Sequence, residues 1–398
     1  MRRFDAIVIG GGPAGASTAT LLAQRGWQVA VIEKAIFPRR KVCGEFLSAT
    51  SIGVLDQLGI GPIWRQEAGP AVRRLALFAG ADVVEAPVPA TAGIFGRALG
   101  RDRLDMILLS AATRAGVEIF QPCRAVAIEP DGTGQRVRVM AENGEQTLWA
   151  QVIIGAHGSW DVGPLPTHLP KSNRPSDHFG FKAYFRDAIM KPDLMPLLVF
   201  PGGYGGIVWA DRERLSVSCC LRRDMLSRIR AEFGARTIAE AVHRHLLASC
   251  RGLREAVGEA ALDGGWLSVG PIRPGIRPKW SDDIFRVGNC AGESHPIVAE
   301  GISMAIQSAW LLDRALADVD AGTPAGRAAA GRRYADAWRR QFAGRIRAAD
   351  LFARLGADRT LAAIAAAGIR LAPRLLTFGA ALAGKTTPLR LGSPPPTG

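Results

Sequence analysis

Residues 5–34 read DAIVIGGGPAGASTATLLAQRGWQVAVIEK and decide the fold of this chain. Residues 6–9 form a short run rich in β-branched side chains, which is typical of a buried parallel strand. Gly10, Gly12 and Gly15 follow with the spacing G-x-G-x-x-G. In a strand-to-helix turn, the first glycine allows the tight turn, the second lets a pyrophosphate approach the backbone, and the third lets the helix pack on the strand. The stretch therefore predicts a helix N-terminus that binds the phosphates of a dinucleotide.

The remainder of this stretch completes a strand–helix–strand unit. Residues 16–24 are compatible with a helix, Gly26 stands where a C-terminal cap would fall, and residues 29–32 read as a second strand. Glu33 follows that strand, 18 residues after Gly15, where a carboxylate can accept a hydrogen bond from a ribose hydroxyl. A glycine-rich turn alone also occurs in other α/β proteins. All of these features in one register favour a dinucleotide-binding unit.

The composition limits the classes of protein that remain. The 398 residues are 48% hydrophobic, which is enough for a large core in two closely joined domains. Lys and Arg number 50 against 36 Asp and Glu, a formal charge of +14. No basic block or RNA-binding motif accompanies this excess, so no nucleic-acid partner is expected. An anionic cofactor, an acidic substrate or an anionic membrane surface fits the charge better.

The cysteines and the N-terminal residues predict a cytoplasmic protein. The six cysteines include no C-x-x-C pair, so neither a zinc site nor a disulfide framework is expected, in agreement with a reducing compartment. Asp5 interrupts the first apolar residues and the glycine turn follows at once, so we expect no signal peptide. No run of 18 uncharged apolar residues is present, so we expect no clear membrane span.

The rest of the chain divides into segments of different pattern. In chain order these are a helix over 97–115, a strand over 117–120, a small antiparallel meander over 126–150, a buried strand over 152–155, a strand-rich stretch over 165–268 with one helix at 236–249, a buried strand over 284–288 and a helix over 301–317. This order predicts a dinucleotide-binding domain that is interrupted by a second, mostly antiparallel domain.

Four further segments resemble one protein family. They are Arg101-x-x-Leu104-Asp105-x-x-Leu108, the run IIGAHGS at 153–159, the run VGNCAG at 287–292 followed by Pro296 and Gly301, and the run FPRRKVCGE at 37–45. The first three, in their order and spacing, resemble the FAD-dependent monooxygenase superfamily of the aromatic-hydroxylase type. The fourth resembles the halogenase-like and geranylgeranyl-reductase-like branch of that superfamily. The resemblance extends from residue 5 to about residue 310.

The resemblance implies a fold class and domain boundaries. The fold is α/β, with a Rossmann-like FAD-binding domain of the glutathione-reductase type, an inserted and mostly antiparallel β-sheet substrate domain, and C-terminal helices. The expected boundaries are 1–75, 97–164 and 270–330 for the FAD-binding domain, 76–96 and 165–269 for the substrate domain, 331–391 for the C-terminal helices and 392–398 for a disordered tail.

The resemblance also implies that FAD is the cofactor. Glu33 would bind the adenosine ribose, Arg101 would reach the pyrophosphate, and Asn289 would hold the ribitol or the pyrophosphate. Arg40 or Lys41 would lie along the FAD. The full expected set comprises Gly10, Gly12, Pro13, Ala14, Gly15, Glu33, Lys34, Arg40, Lys41, Cys43, Arg101, Val126, Gly155, Gly158, Gly288, Asn289, Gly301 and Ile302.

Three positions depart from the family pattern. Asn289 stands where the family has Asp, so it can bond hydroxyls but carries no charge. His157 replaces a second Asp, in a segment that the family links to both FAD and reduced nicotinamide. The reductant is therefore left open between NADPH and a separate electron donor. Ala299 replaces the first glycine of a G-x-G pair, which restricts the backbone there.

Four residues near these motifs, His295, Pro296, Cys43 and Glu45, are candidates for the catalytic site, and three of them have a plainer alternative. His295, next to Pro296, titrates near neutrality and could move a substrate proton, or it is a loop histidine bonded to backbone. Cys43 is either a thiol adjacent to the flavin or a small buried residue. Glu45 either binds substrate or pairs with a nearby arginine.

Two residues farther along the chain are the predicted substrate contacts. Tyr204 stands within the run GGYGG, which is either a hairpin under the substrate cavity or an ordinary turn. Arg273 lies in a Gly- and Pro-rich loop that either borders the cavity or serves only the structure. His243 and His245 are two residues apart on a predicted helix and do not share a face, so no metal site is expected.

The C-terminal region reads as helices with an uneven distribution of charge. Residues 334–355 are Arg-rich and amphipathic, whereas residues 361–382 are apolar except for Arg370 and Arg374, with Pro373 between them. Each arginine at mid-span would cost roughly 2.5–3.5 kcal/mol in a bilayer. The segment is therefore expected either to pack on the protein or to lie in a membrane interface with its arginines at the headgroups.

The predicted function is that of an FAD-dependent oxidoreductase. The resemblance favours a monooxygenase that hydroxylates an aromatic, lipid-like or polyketide substrate through a flavin C4a-hydroperoxide. The alternative is an FAD-dependent reductase of isoprenoid double bonds, to which the Cys43-Gly44-Glu45 stretch is similar. A halogenase is a weaker third interpretation because the motif Trp-x-Trp-x-Ile-Pro is missing from the sequence, and a non-catalytic flavoprotein is a fourth. The partners considered are a small-molecule substrate, an electron-donating reductase and a membrane surface.

Overall fold

The computed structural model describes residues 1–89, 93–159, 174–357, 359–385 and 389. Its strands are β1 Arg2–Ile9, β2 Val29–Ile32, β3 Phe46–Leu47, β4 Arg74–Ala79, β5 Asp82–Pro87, β6 Arg97–Ala98, β7 Glu118–Phe120, β8 Cys123–Asp131, β9 Gly134–Ala141, β10 Gly144–Gly155, β11 His178–Arg186, β12 Leu194–Phe200, β13 Gly203–Trp209, β14 Leu215–Arg222, β15 Ala261–Leu262, β16 Leu267–Ile272, β17 Gly275–Ile276, β18 Trp280–Ser281, β19 Ile284–Arg286 and β20 Gly292–Glu293. Its α-helices are α1 Pro13–Gln24, α2 Ile52–Gln57, α3 Gly61–Glu67, α4 Arg101–Arg114, α5 Arg223–Glu232, α6 Ile238–Ser249, α7 Arg251–Val257, α8 Gly301–Leu316, α9 Pro324–Ala357, α10 Arg359–Leu371 and α11 Arg374–Ala380.

The first sheet carries the glycine turn at its centre. Its order is β18–β19–β10–β1–β2–β7, with the β8–β9 hairpin attached to β10. β1 lies parallel between β10 and β2, so Ile9 stands opposite both Gly155 and Ile32. Ala6 and Val8 pack towards the helices α1, α8 and α9, whereas Ile7 packs under the β8–β9 hairpin. Because both faces are covered, a strand of continuous apolar residues is stable here.

The second sheet has the order β15–β11–β14–β13–β12–β4–β5, with β16 also paired to β11. Its pairs are antiparallel except for β4 with β12, which run parallel. Residues such as Phe181 and Leu198 pack on one face against α5, α6 and α7. The other face meets the C-terminal helices, where Tyr204 contacts Ala353 of α9 and Leu77 lies in one cluster with Leu376 of α11.

The predicted α/β fold class is confirmed, and three of the predicted elements need correction. The helix expected over 97–115 begins only at Arg101, because Arg97–Ala98 pairs as β6 with β3. The strand expected over 152–155 is the end of the longer β10, which pairs first with β9 and then with β1. The helix expected over 236–249 is α6, and two further helices, α5 and α7, flank it.

The two sheets draw on different parts of the chain. The first uses strands between residues 2 and 155 and again between 280 and 286, and the second uses strands between 74 and 87 and between 178 and 272. The domain boundaries remain a prediction. Residues 160–173, which contain one of those boundaries, and the tail 392–398 lie outside the described residues.

The described part of the chain contains no single helix that is long and apolar enough to cross a membrane. One pair, Ala363–Leu371 with Arg374–Lys385, reaches that length and composition only together and is bent by 114° between its two parts.

Candidate active site

One cavity of about 620 Å³ lies between the two sheets. At one end it borders the glycine turn and the end of β2, and at the other it borders β4, β12, β13 and the C-terminal helices. Of the predicted site residues, those that line it are Gly10, Gly12, Pro13, Ala14, Glu33, Lys34, Lys41, Cys43, Arg101, Gly158, Tyr204, Gly288, Asn289, Pro296, Gly301 and Ile302. The residues predicted to hold a cofactor and the residue predicted to contact substrate thus face one space.

The glycine turn has the geometry that its sequence predicts. Gly10 has a φ of +112°, and a Cβ on Gly15 would lie 1.8 Å from the Gly10 carbonyl oxygen. Neither position accepts another residue without a shift of the backbone. Gly12 is the N-cap of α1 and provides no side-chain cap, Pro13 is the first residue of the helix, and the first turn contains no acidic residue. The first N–H groups of α1 and the positive end of its dipole are therefore available to an anion.

A buried carboxylate stands next to this turn, at the end of β2. Glu33 is 3% exposed and accepts hydrogen bonds at 2.8 Å from the N–H of Gly11 and at 2.8 Å from the N–H of Ala35. These two bonds fix the carboxylate at the cavity wall, with Arg39 3.4 Å away on the same side. A carboxylate oxygen has a second acceptor direction, so Glu33 can also bind a hydroxyl in the cavity.

Several basic side chains line the cavity, among them Arg39, Lys41 and Arg101. Arg101 is buried and donates through Nε and Nη2 to Asp105, at 2.7 Å each. Burial, followed by the charges of Arg101 and Arg39, lowers the pKa of Lys41 to about 8. A diphosphate at this place would relieve the crowding of positive charge. The glycine turn, the fixed carboxylate and the crowded cations together fit the phosphates and ribose of FAD.

The N-terminus of α8 and the segment before it also line the cavity, next to α1. Gly288 has a φ of +60°, and its N–H donates to Ser308 Oγ at 2.8 Å. Asn289 donates through Nδ2 to Ser159 Oγ at 3.3 Å. Ala299 adopts a left-handed conformation with a φ of +51°. The glycine that the family has at this position would adopt the left-handed conformation freely. Alanine adopts it at a cost of roughly 1–2 kcal/mol, which is the backbone restriction expected from the sequence.

Several predicted cofactor residues lie outside the cavity lining. Arg40 donates to the Asp263 carbonyl oxygen at 2.6 Å, and its guanidinium stacks over the Tyr184 ring. Val126 is half-exposed on β8, and only the three residues before it line the cavity. Gly15 and Gly155 lie behind the turn, in α1 and at the end of β10.

Glu45 is outside the cavity lining and belongs to a buried network that touches the lining only at Arg101. Its Oε1 accepts hydrogen bonds from Lys182 Nζ, from the Tyr184 hydroxyl and, at 2.8 Å, from the N–H of Arg101. Burial lowers the pKa of Lys182 and raises that of Tyr184. The network joins the end of the FPRRKVCGE segment to β11 and to the N-terminus of α4. The only sequence signal for Lys182 is a lysine inside the apolar run FGFKAYF, and sequence reasoning missed it.

His295 also lies behind the cavity wall, paired with Tyr204. The Tyr204 hydroxyl and His295 Nδ1 are 2.5 Å apart, and the His178 ring packs edge-on against His295 at 5.3 Å. Burial, followed by the charge of His178, lowers the pKa of His295 to about 4, so this imidazole is neutral near pH 7. Tyr204 itself lines the cavity, while its hydroxyl is paired with this neutral imidazole. His178 carries no sequence signal, since its partners are distant in the chain.

The far end of the cavity is an apolar corridor between the second sheet and the C-terminal helices. Leu75, Leu77, Leu197 and Val199 line it from the sheet. Phe352, Ala366, Ile369, Leu376 and Ala380 line it from α9, α10 and α11. Arg273, a predicted substrate contact, is outside this lining and pairs with Asp177 at 2.9 Å.

Comparison with known proteins supports the FAD-binding assignment. A family model described as an FAD binding domain matches residues 3–183. A menaquinone reductase of Mycobacterium tuberculosis (strain CDC 1551 / Oshkosh) is 31% identical over 150 residues, which are 38% of this chain and 36% of that protein. The match thus spans little more than a third of that relative's length.

Two further relatives and one solved structure extend the comparison. A rifampicin monooxygenase of Streptomyces venezuelae is 33% identical over 39% of this chain and 32% of that protein. Digeranylgeranylglycerophospholipid reductase 2 of Methanopyrus kandleri is 26% identical over 85% of this chain and 83% of that protein. The structure of the myxobacterial chondrochloren halogenase CndH superposes with a TM-score of 0.74 over 96% of this chain and 91% of its own, at 21% identity, which is a likeness of fold.

These comparisons confirm the resemblance that the motifs indicated and the identity of the cofactor. The matched residues 3–183 contain the glycine turn, Glu33, Lys41 and Arg101, which form one end of the cavity. Residues 3–183 of the chain thus carry an FAD binding domain, and the chain is similar to FAD-dependent enzymes that contain such a domain.

Proposed function

We propose that the protein is an FAD-dependent monooxygenase that hydroxylates an aromatic or lipid-like molecule. One observation carries this proposal: the cavity that begins at the glycine turn continues past Cys43 and Tyr204 into the apolar corridor. Such a shape suits a ring held near the cofactor and an apolar tail directed away from it. A relative whose name describes monooxygenation of rifampicin supports the reaction type.

FAD, when bound, supplies two electrons and activates dioxygen. The overall reaction takes a substrate C–H, O₂, two electrons and two protons to a C–OH and one water. The chain's own residues hold the cofactor, line the corridor with apolar side chains and thereby limit the access of water. Tyr204 lines the cavity, and the hydrogen bond between its hydroxyl and His295 Nδ1 fixes the orientation of its side chain.

Isotope labelling tests this proposal directly. The FAD-loaded protein is reduced, mixed with ¹⁸O₂ in the presence of 4-alkylphenols or candidate polyketides, and the products are analysed by mass spectrometry. The expected result is one ¹⁸O atom in the product for each substrate consumed. Stoichiometric release of hydrogen peroxide with every candidate, and no labelled product, would overturn it.

Reduction of an isoprenoid double bond is the second candidate. It is favoured by Cys43, which lines the cavity, and by the Methanopyrus kandleri reductase that aligns with most of this chain. In that reaction two electrons and two protons are added across a C=C bond, and no oxygen is consumed. Oxidation of the reduced protein by a prenyl substrate under strict exclusion of oxygen would select this function over hydroxylation.

The electron source of the proposed reaction is either NADPH or a separate reductase. His157 lines the cavity at the position where the resembling family has Asp, so reduction by NADPH cannot be carried over from the motif alone. Anaerobic stopped-flow mixing with NADPH, with and without a candidate substrate, distinguishes the two sources. Bleaching of the flavin absorbance within seconds indicates NADPH, and an unchanged spectrum indicates a protein donor.

We also propose that the protein acts in the cytoplasm at a membrane surface and that it contacts this surface through the C-terminal helices. Large apolar side chains protrude from these helices, among them Ile364, Leu371 (83% exposed) and Phe378 (61% exposed). Between residues 324 and 385 the sequence carries twelve Lys or Arg and three Asp. The opposite side of α10 and α11 lines the corridor, so these helices are apolar on both sides. An anionic lipid surface fits the exposed apolar side chains and the positive charge.

Sedimentation with vesicles tests this contact. The protein is expected to bind phosphatidylglycerol–phosphatidylcholine vesicles and to bind pure phosphatidylcholine vesicles several-fold more weakly. Leu371→Asp combined with Phe378→Asp should weaken binding at least tenfold. Ile189→Asp, a change at an equally exposed residue between β11 and β12, serves as the matched control and should leave binding unchanged. Equal binding by all variants would contradict the proposed contact.

A further inference from the structure

A carboxylate that the motifs did not single out faces the cavity between its nucleotide end and its apolar corridor. Glu293 lies in β20 and lines the cavity together with Asn289 and Tyr204. Its side chain keeps 14% of its surface exposed, although burial dominates its surroundings and raises its pKa. An acidic group at a largely apolar wall is costly unless something donates a hydrogen bond to it.

The protein holds one oxygen of this carboxylate and leaves the other towards the cavity. Oε2 accepts hydrogen bonds from Ser159 Oγ at 2.5 Å and from Arg277 Nη2 at 3.1 Å. Within the described ranges of the chain, no group donates a hydrogen bond to Oε1. Arg277 is itself fixed, since its guanidinium is 3% exposed and also donates to the carbonyl oxygens of Arg273 and Asn289. The carboxylate is therefore oriented before any ligand arrives.

The polar side chains beside Glu293 are committed to other partners. Asn289 donates to Ser159 Oγ, and the Tyr204 hydroxyl pairs with His295 Nδ1. A hydroxyl or amino group of a molecule in the cavity can therefore donate to Oε1. The group that best meets an oriented acceptor at the entrance of an apolar corridor is the hydroxyl or amino group of a molecule with an apolar tail.

We propose that Glu293 orients the substrate by accepting a hydrogen bond from its hydroxyl or amino group, with Ser159 and Arg277 as positioning residues. The inference deepens the proposed function and rests on it only in placing the substrate in this cavity. It assigns the substrate class as an amphipathic molecule with one hydrogen-bond donor at the end that faces the flavin. Hydroxylation and double-bond reduction are both compatible with that class.

Binding of two matched ligands tests the assignment without turnover. The FAD-loaded, oxidised protein is titrated with 4-heptylphenol and with 4-heptylanisole, whose methyl ether cannot donate, and the change in flavin absorbance is followed. The wild type should bind the phenol roughly tenfold or more tightly than the ether, as for a charge-assisted hydrogen bond. Glu293→Leu should bring this ratio to within about twofold of one. Glu293→Gln keeps an acceptor without charge and should lower the ratio at least about threefold.

Two controls separate the possible failures. Glu213→Leu, at an exposed glutamate between β13 and β14, should leave the ratio unchanged. FAD affinity should change by less than about twofold in all variants, because Glu293 is assigned to substrate. A phenol-to-ether ratio that persists in Glu293→Gln, or a loss of FAD affinity with an unchanged ratio, would overturn the assignment. If the protein releases only peroxide yet retains the Glu293-dependent preference, hydroxylation fails and this inference stands.

Discussion

The buried pair of Glu45 and Lys182 allows a quantitative test of how the two sheets are joined. Both side chains are fully buried, and the same Glu45 oxygen also accepts from the Tyr184 hydroxyl and the N–H of Arg101. Glu45→Gln preserves the volume but leaves the Lys182 ammonium without an anionic partner. Breaking a buried pair from one side typically costs about 3–5 kcal/mol in the free energy of unfolding.

The reverse substitution should cost less. Lys182→Met leaves the Glu45 carboxylate with two remaining donors, so we expect a loss of about 1–3 kcal/mol, the cost of a hydrogen bond to a charged group. In the double variant neither charge is left unpaired. The combined loss should therefore be smaller than the sum of the two single losses, by about 2 kcal/mol or more.

Urea unfolding of the FAD-loaded protein, followed by tryptophan fluorescence and circular dichroism, measures these differences. The slope of the transition should stay the same in all variants, so that the midpoints report stability. Exchange of the exposed pair Arg186 and Glu213 for Met and Gln is the matched control and should be additive within about 0.5 kcal/mol. If Glu45 and Lys182 are equally additive, the network is not a coupled buried pair and our reading of it is wrong.

Three further outcomes follow from the site. Lys41 has a pKa of about 8 beside Arg101, and a bound diphosphate would raise this pKa, so the affinity for FAD should fall as the pH rises through about 8. FAD titrations of Lys41→Arg between pH 7 and 9 should show a much flatter dependence on pH. An equally steep dependence in this variant would assign the effect to another group. Gly15→Ala places a Cβ 1.8 Å from the Gly10 carbonyl oxygen, so the glycine turn must shift and the purified variant should lack flavin. A yellow variant with normal FAD content would contradict the geometry of the turn. His295 has a pKa of about 4, so the pH profile of kcat/KM between pH 6 and 8 should show no ionisation of this residue. Tyr204→Phe, which removes the hydroxyl paired with His295, should lower turnover by at least about tenfold. A step near pH 6.5 that His295→Asn removes would refute the neutral state of His295.

The nucleotide end of the site could be predicted because its geometry is encoded locally. The glycine spacing sets the turn, Glu33 follows directly on a strand that pairs with β1, and Arg101 meets Asp105 one helical turn later. Each of these contacts lies within a few residues or within one strand–helix–strand unit. The glycine spacing and the strand pattern were sufficient to single out the turn and Glu33, whereas Arg101 was singled out by the family resemblance.

The other end could not be predicted because its contacts join residues far apart in the chain. Glu45 meets Lys182 and Tyr204 meets His295 only because the second sheet folds over the FPRRKVCGE segment and the loop before α8. Of the two alternatives for a residue along the FAD, Lys41 lines the cavity, whereas Arg40 bonds Asp263, more than 200 residues later. The direction of an arginine in a loop depends on such distant acceptors, which no local pattern indicates.

Glu293 was missed for a related reason. It stands inside the segment that carried the family resemblance, yet nothing in its spacing distinguishes it from a solvent-exposed loop acid. The role of Glu293 depends on its hydrogen bonds to Arg277, which follows β17, and to Ser159, which follows β10. A charged residue in an otherwise apolar loop is at most a weak signal of this role.

The central claim is that the glycine turn, Glu33 and the cations around Lys41 and Arg101 form a cradle for the adenosine diphosphate part of FAD. Titration calorimetry of the flavin-free protein with FAD and with FMN, which lacks the adenosine monophosphate part, tests it most directly. We predict one FAD per chain and an affinity for FMN at least about a hundredfold weaker, since FMN forfeits several charge-assisted hydrogen bonds. Equal affinities for FAD and FMN, or no binding of FAD, would contradict the account.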